Sequence, residues 1–186
     1  RNVFKSSGGR YWFRCGDCGY DFESSLNNVT TGYWCSKCKH KTEKKFFSNL
    51  QPLYPSLIHQ YRVEWCRNTE GKKSHFPFDF YFPEFNTIVE IHGPQHYRQV
   101  SNWASPESQR ERDLYKQEQS IQNGVTVIHM CQEEIYYDTF DWKSALQRIL
   151  VKHDEPKCIV LSMNPLIGEC YRQFKPIIVS VEPQSR

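Results

Sequence analysis

The stretch from Phe76 to His96, FPFDFYFPEFNTIVEIHGPQH, constrains the fold of this chain more than any other. Residues 78–82 and 87–92 are rich in aromatic and β-branched side chains and are separated by Pro83-Glu84-Phe85-Asn86, the pattern of a hairpin with a four-residue loop. In that register Phe82 faces Thr87, and counting outward puts Asp79 opposite Glu90. Cross-strand neighbours stand roughly 4.5–5.5 Å apart at Cβ, and like charges so placed repel. Two carboxylates in otherwise apolar strands therefore need a reason.

The strand period of two puts Glu90 and His92 on one face and Val89 and Ile91 on the other, so Asp79, Glu90 and His92 are expected to converge. Paired carboxylates suit a hard divalent cation such as magnesium or manganese, which takes oxygen ligands and keeps waters for substrate phosphates. A histidine beside it can accept the proton of an attacking water near neutral pH. An edge hairpin whose acids only solvate one face is the plainer alternative.

A strand carrying Asp79, a short turn, then Glu90-Ile91-His92-Gly93-Pro94-Gln95-His96 resembles the core of the PD-(D/E)XK nucleases, in the branch similar to very-short-patch-repair endonucleases. The superfamily's commonest form has a lysine two residues after the Glu. Here that position is His92, which fits the repair-type branch, where histidines replace the lysine. The resemblance spans residues 41–150. It implies catalytic roles for Asp79, Glu90 and His92, with His96 contacting the scissile phosphate or protonating the leaving oxygen.

Eight cysteines are unevenly spread. Cys15, Cys18, Cys35 and Cys38 form two C-x2-C pairs with the spacing of a zinc ribbon, in which two tight turns present thiolates to a tetrahedral metal. Disulfide pairing is the alternative. Cys66, Cys131, Cys158 and Cys170 are scattered and read as small apolar fillers. So short a ribbon cannot bury much surface, and the metal should supply much of its folding free energy. Lys39, Lys41, Lys44 and Lys45 follow it directly and could track a phosphate backbone, or form a solvated linker. A net charge of +3 is compatible with a nucleic-acid partner without requiring one.

The helical period begins at Thr42, with Glu43, Phe46, Phe47 and Leu50 on one stripe. Glu43 in the first turn complements the helix dipole, and the nuclease resemblance implies that it also lends a carboxylate to the metal. Residues 61–65 read as a first strand, and residues 68–73 as a turn. Ser105-Pro106 starts a helix that stops at Asn123-Gly124. Its dense charge, with Asp113 and Lys116 in a D-x2-K pattern similar to these nucleases, reads by itself as a salt-bridged solvent face. Residues 125–130 form a buried strand, residues 142–151 a core helix, and residues 159–161 and 177–179 two added strands.

Helix, hairpin, helix, strand and helix in that order suit an α/β, restriction-endonuclease-like mixed sheet flanked by helices. The expected division is a zinc ribbon with basic linker at 1–41, a catalytic domain at 42–155 and a C-terminal extension at 156–186. The expected activity is metal-dependent hydrolysis of DNA phosphodiesters, with structural zinc and catalytic magnesium or manganese. RNA is a variant the residues do not distinguish. The alternatives are a catalytically inactive nucleic-acid-binding module and a protein-interaction adaptor. No apolar run approaches the ~20 residues of a membrane span and no secretory signal opens the chain, so an intracellular site, cytoplasmic or nuclear, is expected. Starting at Arg1, the chain reads as a fragment.

Overall fold

The computed structural model of the protein describes residues 9–16, 18–30, 35–36, 40–68, 74–93 and 106–184. Cys38, Lys39, Gln95, His96, Ser105 and the turn at 69–73 lie outside the described residues. The chain divides at Lys41 into a small N-terminal unit and a larger one beginning at Thr42.

In the small unit, β1 (Arg10–Arg14) pairs antiparallel with β2 (Asp21–Ser25), with Trp12 across from Glu23. A short helix α1 (Leu26–Thr30) follows. Its core is small: Phe22 with Cys15 and Cys35, and Phe13 stacked on Phe22 at 5.7 Å between ring centroids.

The larger unit is an α/β arrangement in which helices flank a six-stranded mixed sheet of order β3-β4-β5-β6-β7-β8. Helix α2 (Lys41–Leu50) leads into β3 (Ile58–Tyr61), β4 (Phe78–Phe82) and β5 (Thr87–His92), and these three strands run antiparallel. Then α3 (Pro106–Gln122) crosses to β6 (Thr126–Cys131), α4 (Gln132–Tyr137) and α5 (Trp142–Ile149) to β7 (Cys158–Leu161), and α6 (Pro165–Cys170) to the short β8 (Ile177–Ile178). From β5 to β8 every pairing is parallel. The residues after Pro156 are thus integral to the sheet.

Local chemistry fixes these boundaries. The hairpin strands fall where the sequence puts them, and Asn86 takes a left-handed φ of 49° that closes the 3₁₀ turn at Pro83–Phe85. Asp141 caps α5 by accepting from Ser144 N at 3.2 Å, and Asn164 caps α6. The first strand of the sheet lies at 58–61 rather than 61–65, because the chain turns after Tyr61, with Cys66 N donating to Val63 O at 3.3 Å.

One sheet face carries the main core. Phe80, Phe82, Val89, Ile91, Ile128 and Met130 pack against Phe46 and Leu50 of α2 and Trp142 and Leu146 of α5. The Phe46 and Trp142 rings stack at 5.5 Å, and Phe46 meets Phe80 at 4.5 Å. The other face lies under α3 and α6, with Val127, Val160, Ile167 and Tyr171 among its apolar members. Phe78 joins this second face, although strict alternation would put it with Phe80. The alternation breaks at Asp79. Paired residues resume only at Phe80 with Val89, Ile91 N donates to Asp79 Oδ2 at 2.8 Å, and neighbouring Gln60 has a φ of 55°. A side-chain acceptor has replaced a ladder carbonyl, as at a bulge.

Trp142 is 1% exposed and bridges α5 to α2. Trp142→Ala should cost about 3–5 kcal/mol by cavity formation, read from the urea midpoint at an unchanged denaturant slope; a loss below 1 kcal/mol would remove this stacking from the centre of the core.

Candidate functional site

In the N-terminal unit Gly19 N donates to Cys15 O at 2.8 Å and Cys15 N to Tyr20 O at 3.0 Å, with Gly19 in a left-handed conformation. This tight turn brings Cys15 and Cys18 to Cys35, with all three thiol sulfurs within 4.8 Å of one another. The Cys18 and Cys35 sulfurs are 3.6 Å apart. Sulfurs of a disulfide stand about 2.05 Å apart, whereas four thiolates about 2.3 Å from one tetrahedral metal stand roughly 3.8 Å from each other. The three cysteines could hold a metal ion. Among the described residues this is the sole group of three or more histidines, cysteines or acids with ligand atoms so close.

The larger unit holds a charged cluster under α3. Residues Asp113, Lys116, Gln117 and Ser120 recur at i, i+3, i+4 and i+7 and are all buried, so the helix presents a polar stripe to the sheet. The solvent-face reading of this helix is therefore corrected for Asp113 and Lys116. Lys116 Nζ reaches Glu90 Oε2 at 2.8 Å, and Oε1 lies equally close without hydrogen-bond geometry. The ammonium also sits 4.8 Å from the Phe78 ring. Burial, and then the charges of Asp79 and Asp113, push the Glu90 carboxyl up to about 8 against the opposing pull of Lys116. For Lys116 burial acts downward, but Glu90, Asp79 and Asp113 outweigh it and hold the ammonium above its ordinary value. Asp79 and Asp113 thus both stand close enough to the buried Glu90–Lys116 pair to act on its ionisation.

Beside this cluster a chain of buried polar groups crosses four elements. Gln117 Oε1 is 2.6 Å from His129 Nε2, His129 Nδ1 is 2.9 Å from His92 Nε2, and that nitrogen is 3.2 Å from Tyr171 Oη. The Tyr171 ring stacks on His129 at 3.6 Å and 16°. Parallel pairing sets His129 next to Glu90, which is why both point under α3. Two cavities of about 10 Å³, each the size of one water, adjoin this region. Asp113 and Tyr171 line both, one with His92 and Arg110, the other with Glu90 and Lys116.

The expected site residues fare differently. Glu90 and His92 share a face and are buried, and Asp79 adjoins Glu90 closely enough to act on its ionisation while bonding to the backbone of Ile91. Glu43 accepts from Gln60 Nε2 at 3.1 Å and lies 2.8 Å from His59 Nε2, tying α2 to β3. Lys45 is engaged within its own unit, 2.6 Å from Asp138 Oδ2 and 3.0 Å from Tyr136 O. Lys44 is exposed and Lys41 half-buried. The sequence reading missed Gln117, His129 and Tyr171. Gln117 stands among the charges of α3, His129 in an apolar run and Tyr171 in an unassigned tail, and only the tertiary fold joins them.

Comparison of this chain with protein-family models, with curated proteins and with solved structures finds no match. Among the described residues no helix is long and apolar enough to cross a membrane.

Two outcomes follow from these centres. Between 4.5 and about 8 folded Glu90 holds a proton that the unfolded chain has released. Its contribution to stability is therefore complete below 4.5 and lost as pH rises toward 8. Glu90→Gln should flatten the decline in urea midpoint across that interval, and an unchanged slope would mean that Glu90 titrates normally. Metal analysis of the purified chain should find one tightly held ion that Cys18→Ser releases, with a strong chelator unfolding the N-terminal unit; chelator-insensitive spectra would rule out a metal-held ribbon.

Proposed function

We propose that the chain is a divalent-metal-dependent nuclease that hydrolyses phosphodiesters, DNA being the favoured substrate, on a restriction-endonuclease-like fold behind a zinc ribbon. The observation that carries this reading is the acid-rich cluster of buried Glu90, Asp113 and Lys116 with the half-buried Asp79 beside them, and with His92 two residues further along the same strand face. A structural ion pair needs one acid. Here Asp79 and Asp113 also act on the buried Glu90 and raise its pKa, a perturbation of the kind that gathers at functional sites.

Asp79 and Glu90 offer the hard oxygen ligands that magnesium or manganese takes, and Asp113 lies beside them. Such an ion, when bound, would neutralise charge on the phosphoryl oxygens. The chain's own residues do the remainder. His92 takes one proton from water while the water oxygen bonds to phosphorus, the bond to the leaving oxygen breaks, and that oxygen is protonated from solvent. Lys116 keeps a fixed positive charge at Glu90, and the ribbon supplies zinc-held backbone for nucleic-acid contact.

A second reading has its own observation. Glu90 is already paired with Lys116 and His92 is 3% exposed, as a binding module that has lost catalysis would also have them. The assay that separates the two is cleavage of supercoiled plasmid, single-stranded DNA and RNA with magnesium, manganese or chelator. Nicked or linear product should form only with the divalent ion and fall at least about 10²-fold in Asp79→Asn and Glu90→Gln, with nucleic-acid binding retained. Binding without cleavage of any substrate would favour the inactive module.

A further inference from the structure

We propose that the outer face of the N-terminal hairpin, centred on Trp12, is a stacking platform for an unpaired base of a single-stranded nucleic acid. It rests on the reading above for the class of ligand but uses none of its chemistry, and it lies wholly within the small unit. Side chains alternate along β1. Phe13 turns onto Phe22, so Arg10, Trp12 and Arg14 occupy the other face, across from Ser25, Glu23 and Asp21 of β2. At 75% exposure Trp12 is the most exposed large hydrophobic side chain among the described residues. One exposed apolar residue means little by itself, but the groups around this one give it a use.

An arginine stands about 7 Å along the strand on either side of Trp12, close enough for its cation to cover the indole face. Carboxylates on β2 draw both across the hairpin instead. Arg14 Nε and Nη2 donate to Asp21 Oδ1 and Oδ2 at 2.7 and 2.8 Å, and Arg10 Nε and Nη2 donate to Glu23 Oε2 and O at 3.0 and 3.1 Å. The indole is left open, and among the described residues both hydrogens of each Nη1 are unspent. An uncovered ring with a guanidinium on each flank suits a base on the indole and backbone phosphates beside it. Asp21 and Glu23 offset the two guanidiniums locally, but such exposed pairs are weak and yield to a competing phosphate. The unit itself is basic: residues 1–41 hold seven arginines and lysines against three acids, whereas residues 42–186 hold seventeen against eighteen. Four thiolates on one divalent ion would take back two of those charges and still leave an excess. Bases within a duplex have their faces covered by stacked neighbours, so the platform takes single strands, flaps or frayed ends.

The test is fluorescence anisotropy of labelled oligothymidylate and oligouridylate, and of a duplex of the same length, titrated with the full chain. Its cysteine centre is kept metal-loaded, and no magnesium or manganese is added. Single strands of one sugar or both should bind, and Trp12→Ala should weaken that binding roughly 10- to 100-fold with duplex affinity and metal content nearly unchanged. Trp12→Phe keeps a stacking ring and should recover most of the loss. Arg10→Gln should lower the slope of log affinity against log salt by about 0.7. No binding of single strands, equal affinity in wild type and Trp12→Ala, an equal loss on duplex, or Trp12-dependent self-association of the free chain in place of binding would overturn the proposal. Trp12-dependent binding by a chain that cleaves nothing would uphold the platform and defeat the hydrolytic reading. Metal-dependent cleavage with single-strand binding indifferent to Trp12 would do the reverse.

Discussion

Burial of the Glu90 carboxyl group against Lys116 is the interaction on which the α3 side of the sheet depends. Withdrawing an ionisable pair from water is costly, a cost that here raises the Glu90 pKa to about 8, and it is offset only when the geometry is good and the remaining polar atoms are met. The stripe of Asp113, Lys116, Gln117 and Ser120 therefore faces inward in a helix whose composition belongs on a surface, with Ser120 Oγ donating to Lys116 O at 2.8 Å. Asp113 extends the same polar layer between the two cavities, and Gln117 continues it to His129.

The two faces of the sheet thus have different chemistry. The α2 and α5 face is an apolar, aromatic-rich core that holds the strands in register. The α3 and α6 face carries charge and histidine on the rigid backbone of β5 and β6. A parallel pair flanked by well-packed strands is a firm base for such a layer, because each side chain leaves a backbone atom fixed by ladder bonds on both sides.

What the sequence made legible follows from period and turn chemistry. Aromatic and β-branched runs at Phe78–Phe82 and Thr87–His92, with a proline-led loop, specify the hairpin, and the strand period specifies the shared face of Glu90 and His92. The C-x2-C spacing likewise anticipates the approach of Cys15, Cys18 and Cys35. What stayed hidden depends on tertiary context. A helical stripe made of polar residues gives no apolar period, so α3 read as a solvated face. The break in alternation at Asp79 arises from a bond to Ile91 that no local pattern encodes. His129 sits inside an apolar strand and Tyr171 in a segment with no assigned role, yet the fold puts their rings 3.6 Å apart.

The central proposal is that Glu90 with Asp79 and Asp113 takes a divalent cation, and calorimetric titration of manganese into the chain with its cysteine centre loaded tests it most directly. Glu90 is held up to about 8, so cation binding near neutral pH should release a proton, seen as a heat that varies with the ionisation enthalpy of the buffer. The account predicts one such site, absent in Glu90→Gln and independent of the cysteine centre. Equal binding by wild type and Glu90→Gln, or no binding beyond the cysteine centre, would contradict it.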